Sequence, residues 1–291
     1  NGAGKSTLMK KISEAFAESP QEIYYCSADP YSLDAVYIKD KKAVIIDGTA
    51  PHCVDPVYPK AVESIVDLGA YIETSKLRTA KEEVISLTEE YSGCHKRCRL
   101  CLKAVSSVIE DIITAANSAL DTEKLSAFAD KFIRRIMPKK EAKADGKIMR
   151  KQRAAITMNG YAAFLPENDR IYLLNDENIS AAAEFLRIAA LNIAKRGYDI
   201  EISQCYLSSD KFIEHLTVPE LGITFITSNC INSLSIDKFE KHINFKRFYK
   251  KDELTDSTAL RQRVRFAKKA CAEFQKEAAA ALTDAKIIHD K

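Results

Sequence analysis

The chain has 291 residues, enough for two ordinary domains, and 46% hydrophobic with 29% charged residues is the composition of globular protein. A net charge of +3 is too small to imply a polyanion, so nucleic acid is not an expected partner, and no apolar run approaches the length of a membrane span. Eight unevenly spaced cysteines do not read as a secreted disulfide framework; free thiols and a cytoplasmic location are expected.

The stretch Asn1-Gly2-Ala3-Gly4-Lys5-Ser6-Thr7 matches the back half of a GxxxxGK[ST] phosphate-binding loop, whose opening glycine would lie before residue 1. Gly2 and Gly4 permit the tight turn that brings backbone N–H groups against phosphate oxygens. Lys5 reaches the β- and γ-phosphates, and the Ser6 hydroxyl ligates Mg²⁺. Leu8, Met9, Ile12, Ala15 and Phe16 then recur at helical spacing, so a helix should begin here with its positive end toward the anion. The same residues also suit a glycine-rich turn capped by Ser6 or Thr7, with no ligand.

A short β-prone run follows at Glu22–Cys26, and a second at Lys42–Asp47, KAVIID, apolar until it ends in an acid. In a buried parallel strand this pattern delivers Asp47 to the carboxyl edge of the sheet, where it can hold Mg²⁺ directly or through water. No glutamate follows Asp47 to polarise an attacking water. Asp29, Asp34, His52 and Asp55 are the candidates to orient water or a substrate hydroxyl, while Asp29 and Asp55, each before a proline, also suit plain turn formation.

From Pro59 the pattern reads as helix over 60–72, 77–120 and 123–136. These long insertions suit a lid carrying Arg78, Arg97 or Arg99, or a solvated face on which such arginines simply meet water. Cys94, Cys98 and Cys101 have the CxxxCxxC spacing of an iron–sulfur ligand set. In a helix they fall on one face of successive turns, where thiols pack as small apolar groups. The polar, basic stretch 138–153 reads as a linker, and 154–165 as a hairpin around Asn159-Gly160.

The second half then resembles the first. Strands are expected at 170–174, 199–204 and 222–226 and a helix at 180–195; Cys205 falls where Cys26 stood, Ile213-Glu214 where Leu33-Asp34 stood, and ITFIT at 223–227 where AVIID stood at 43–47. At the loop position the second half has Asn175-Asp176-Glu177-Asn178-Ile179, and Thr227 replaces Asp47; two acids at a phosphate site repel the ligand. By this register a strand equivalent to 170–174 would precede Asn1. Without that strand the first sheet is expected to fold poorly.

The segments NGAGKSTLMKKI, CSADPYSLDAV and AVIIDGTAPHCVDPVYPKAV resemble a family of uncharacterised bacterial tandem P-loop ATP-binding proteins, seen largely in Firmicutes; Asp47, Gly48, Thr49, Ala50, Pro51, His52, Asp55, Pro56 and Pro59 match its distinctive motif. The resemblance implies ATP binding and hydrolysis or phosphoryl transfer, and names no substrate. It departs in the second half, where the phosphate loop is lost.

The expected fold is therefore α/β, with two tandem P-loop NTPase-like three-layer domains of parallel sheet and long helical insertions. These span 1–137 and 170–291, joined by 138–169, and the second copy is degenerate. Asn1, Gly2, Ala3, Gly4, Lys5, Ser6 and Thr7 are the expected ATP-binding residues, Ser6 and Asp47 the Mg²⁺ ligands, and Lys5, Asp47, His52 and Asp29 the catalytic set. An ATPase is the leading function, with a small-molecule or nucleotide kinase and a nucleotide-sensing scaffold as alternatives. The partner beyond the nucleotide, protein or small molecule, is left open, as is pairing of halves within a chain or across a homodimer.

Overall fold

The computed structural model describes residues 3–49, 53–141, 144–166, 169–208, 212–250 and 258–291. It divides into two compact units: residues 1–98 with 157–159 and 279–291, and residues 99–156 with 160–278.

In the first unit the helix α1 (Lys5–Ala15) is followed by strands β1 (Gln21–Tyr25), β2 (Leu33–Ile38) and β3 (Ala43–Ile46), hydrogen-bonded in the order β1-β2-β3 and antiparallel throughout. Alternation along β2 puts Leu33, Val36 and Ile38 into a small core closed by Met9 of α1 and Ile45 of β3. Beyond β3, residues 53–73 hold an isolated bridge between Pro59 and Glu63 and a 3-10 turn at Leu68–Tyr71, before the short helix α2 (Thr74–Thr79). The helix expected over 60–72 does not form. Lys60 takes a positive φ of 64°, Asp67 folds its carboxylate back onto the Gly69 amide, and the β-branched Val62, Ile65 and Val66 stand exposed.

The helix α3 (Lys81–Ser118) runs from the first unit into the second. There follow α4 (Thr122–Ile136), the strand β4 (Ile148–Arg150) and the hairpin β5 (Ala154–Thr157) to β6 (Gly160–Ala163). Next come β7 (Arg170–Asn175), α5 (Ser180–Ala194), β8 (Ile200–Gln204), β9 (Ile213–Val218), β10 (Ile223–Ser228) and β11 (Lys241–Asn244). A long helix α6 (Thr258–His289) ends the chain and returns to the first unit. The sheet of the second unit has six strands in the order β11-β7-β10-β9-β8-β4. Strand β7 is parallel to β10 and β11, β4 is parallel to β8, and β9 is antiparallel to both its neighbours.

The apolar stripe of α4 (Leu125, Ala129, Phe132, Ile133) and that of α5 (Phe185, Leu186, Ala189, Ile193) pack over this sheet. Phe185 is the hub, with ring centroids 6.0 Å from Phe225 and 5.4 Å from Phe245. Every residue of β10 is buried, which explains its nearly unbroken apolar and threonine sequence.

Two domains built on parallel sheets are thus not what the chain forms. The sheet of the first unit is an antiparallel meander, and that of the second is mixed, with β9 running against its neighbours. The cause is local. LDAVYI at 33–38 and IEHLTV at 213–218 are themselves strands, so β3 follows β2 after residues 39–42 alone, and β10 follows β9 across a 3-10 turn at Pro219–Leu221 closed by Gly222 at φ 55°. Parallel neighbours need a crossover of a dozen residues or more; connections this short force strands to reverse.

The two meanders nonetheless share a register. In β1–β2, Tyr24 faces Ala35 and Tyr25 faces Leu33 across a bulge; in β8–β9, Ser203 faces His215 and Gln204 faces Ile213 across a bulge. Ala35 opposite Ile46 is matched by His215 opposite Ile226. The difference lies at the outer edge. β7 covers that of β10, whereas among the described residues no strand covers that of β3, and Val44 and Ile46 remain 57% and 44% exposed.

Candidate functional site

The site in the first unit is built on the start of α1. Gly4 sits before the helix with φ 82°, a left-handed conformation that costs glycine nothing and strains any residue with a Cβ. No side chain caps α1, and no acidic residue occupies its first turn, so the N–H groups and the positive end of the helix dipole stay available to an anion. Ser6 faces inward: its Oγ accepts a hydrogen bond from the Leu33 amide at 2.9 Å, tying α1 to β2. Thr7 is exposed and Ala3 half-buried, while Asn1 and Gly2 lie outside the described residues.

Asp47 emerges at the end of β3, its amide bonded to the Asp34 carbonyl at 2.8 Å. This brings its carboxylate to Lys5: Lys5 Nζ lies 3.1 Å from Asp47 Oδ2. Thr49 completes the cluster. Its amide and its hydroxyl both donate to Asp47 Oδ1, at 2.9 and 2.7 Å, and its Oγ1 accepts from Lys5 Nζ at 2.5 Å. Partial burial pushes the Asp47 carboxyl up, but the Thr49 donors and the Lys5 ammonium outweigh it and hold the group below its ordinary value.

The other expected catalytic groups are placed differently. Asp29 accepts from the Tyr31 amide at 3.0 Å and the Ser32 hydroxyl at 2.9 Å, and pairs with Lys286 Nζ of α6 at 3.2 Å. Burial raises its carboxyl, yet these donors and Lys286 more than offset that and lower it. It is the knot of a turn, and a carboxylate so paired is a weak base. Asp55 is exposed, and His52 lies outside the described residues. Arg78, Arg97 and Arg99 occupy exposed helical positions. Cys94, Cys98 and Cys101 lie on α3, all eight cysteines are free, and no group of three or more metal-ligating side chains occurs among the described residues.

Thr49 enters the sequence reading only as one residue of the resemblance motif, with no role of its own, although a threonine two residues beyond an aspartate at a strand end is the local signal for such a turn.

In the second unit the corresponding places are closed by the chain itself. The Asp176 carboxylate sits against the start of α5, accepting from the amides of Asn178 at 3.1 Å and Ala182 at 3.0 Å and from the Tyr249 hydroxyl at 2.9 Å. The acceptor at this helix end is thus a side chain of the protein, and burial pushes its carboxyl up. Thr227 lines, with Asp176, Ser228 and Asn229, a void of about 10 Å³, room for one water at most.

A second buried acid was also missed. Glu214 on β9 accepts from Asn232 Nδ2 at 2.5 Å and Tyr161 OH at 3.5 Å through Oε1, while its Oε2 has no partner among the described residues. Burial pushes its carboxyl up to about 7. Burial likewise drives the adjacent His215 down to about 3, so that the imidazole stays neutral.

The chain matches no family model, no curated protein and no solved structure.

Proposed function

We propose that the chain binds Mg-ATP at the start of α1 and turns it over as an ATPase. The observation that carries this reading is the meeting of Lys5 with Asp47 beside an uncapped helix N-terminus that follows a left-handed glycine. Helix amides left uncapped, with a lysine in their first turn, suit a polyphosphate. Ser6 and Asp47 are hard oxygen donors, and their number suits a cation that arrives with its phosphates, since Mg²⁺ commonly takes one or two carboxylates and completes its shell with water and substrate oxygens. A cation held there would neutralise charge on the phosphates. Lys5 would stabilise the charge of the transferred phosphoryl group, and the α1 amides would fix its position.

A second reading, a nucleotide sensor with little turnover, is favoured by the engagement of Asp29 with Lys286, which leaves that carboxylate ill suited to activate water. Free cysteines throughout suit a reducing compartment, and we place the protein in the cytoplasm. Among the described residues no helix is long and apolar enough to cross a membrane.

Phosphate release in Mg²⁺ and in EDTA separates the two. The ATPase reading expects Mg²⁺-dependent release that falls about a hundredfold or more in Asp47→Asn. ATP binding with no release from either protein would establish the sensor and overturn the ATPase.

A further inference from the structure

The cluster at Lys5 is already satisfied internally. Asp47 Oδ1 takes both Thr49 donors, which leaves Oδ2 facing the ammonium. A hydroxyl has one proton and two lone pairs. With its proton committed to Asp47, Thr49 Oγ1 must present lone pairs elsewhere, and Lys5 Nζ takes that position. The three side chains therefore form a closed ring of hydrogen bonds whose net charge is zero. Its parts are 18–23% exposed at Lys5 and Asp47, so that the pair is only partly screened by water.

We propose that Thr49 is a positioning residue that latches Lys5 onto Asp47 in the resting site, so that a phosphate ligand must draw the ammonium off this ring to bind. The latch is a property of the ligand-free protein. Its consequence for ATP rests on the nucleotide-binding reading given above. Thr49 also selects which oxygen of Asp47 stays available: Oδ1 is held by the turn, and Oδ2 is released when Lys5 swings to a phosphate.

The direct test needs no nucleotide. Reductive methylation of the ligand-free chain with ¹³C-formaldehyde gives each lysine an NMR signal, and that of Lys5 is identified by its loss in Lys5→Arg. Removing one charge-assisted hydrogen bond should raise the Lys5 labelling rate about fivefold in Thr49→Val. Thr49→Ser, which keeps the hydroxyl, should label at the wild-type rate, and Asp47→Asn at least as fast as Thr49→Val. Thr49 is exposed, so thermal unfolding should be unchanged in the two Thr49 variants. Equal labelling of Lys5 in wild type and Thr49→Val would overturn the latch. In parallel, ATP in EDTA should bind more tightly to Thr49→Val than to wild type. An absence of ATP binding to wild type in Mg²⁺ and in EDTA would instead refute the nucleotide reading, while the labelling ratio still decides the latch.

Discussion

Replacing Asp176 with alanine is expected to lower the stability of the second unit by about 3–5 kcal/mol, because it removes the one acceptor that serves two donors on buried residues, Ala182 and Tyr249, and a third on the half-buried Asn178. The amides of Asn178 and Ala182 lie where α5 begins, and Tyr249 reaches the same carboxylate while its oxygen accepts from the Ala181 amide at 2.8 Å. The Ala182 amide and the Tyr249 hydroxyl do not reach water once the carboxylate is gone, since both residues are buried. Asp176→Asn keeps one acceptor oxygen and sheds the cost of a buried charge, so its loss should be clearly smaller. Hydrogen exchange of the α5 and β7 amides under increasing urea reads this unit directly. An alanine variant within about 1 kcal/mol of wild type would show that Asp176 is not the anchor of this helix end.

Glu214→Gln should change the shape of the stability curve against pH. Burial raises the Glu214 carboxyl from its ordinary 4.5 to about 7. Its contribution is fully present below pH 4.5 and is lost as pH rises through 7, because the folded state binds the proton more tightly. His215 works in the opposite sense. Burial lowers it from 6.5 to about 3, so its contribution is present above pH 6.5 and is lost as pH falls toward 3.

Between pH 4.5 and 6.5 the two slopes oppose each other, each about 1.4 kcal/mol per pH unit. Wild type should therefore be nearly flat in this window. The glutamine variant keeps only the histidine slope, and should gain about 3 kcal/mol across it. Parallel curves for the two proteins would mean that Glu214 titrates as in the unfolded chain. Tyr161, whose hydroxyl lies 3.4 Å from His215 Nε2 and 3.5 Å from Glu214, connects the pair, and Asn232 is the other direct partner of the carboxylate.

The parts of the architecture that could be read from sequence are those set by short-range rules. The start of α1 at Gly4-Lys5, the stripe of α4 and the Asn159-Gly160 hairpin follow from glycine conformation, helical spacing and turn chemistry. Strand direction was misread because β2 and β9 carry polar residues. Asp34 interrupts LDAVYI, and Glu214 and His215 interrupt IEHLTV, yet both of the latter are buried in the second unit. Without those strands the intervals looked long enough for parallel crossovers. Buried acids defeat hydrophobic pattern reading because partners distant in sequence supply their solvation, as Asn232 and Tyr161 do for Glu214.

At the site the balance is similar. Motif logic assigns Lys5 to the phosphates and Asp47 to Mg²⁺ at one site; their direct ion pair at 3.1 Å is a feature of the structure that the motif does not state. The role of Thr49 depends on a ring closed across the fold, with Lys5 separated from it by 44 positions, and no local pattern encodes that. Asp29 illustrates the reverse case. Its sequence context suited both a base and a turn, and only its pairing with Lys286, far along the chain on α6, distinguishes them.

We propose that the Lys5–Asp47 cluster at the start of α1 receives a nucleotide. Isothermal titration of Mg-ATP into the wild-type chain and into Lys5→Ala tests it most directly. Saturable one-to-one binding to wild type is expected, weakened about a hundredfold or more in Lys5→Ala, since the ammonium would make charge-assisted contacts to the phosphates. Equal affinity in the two proteins, or no binding to wild type, would contradict it.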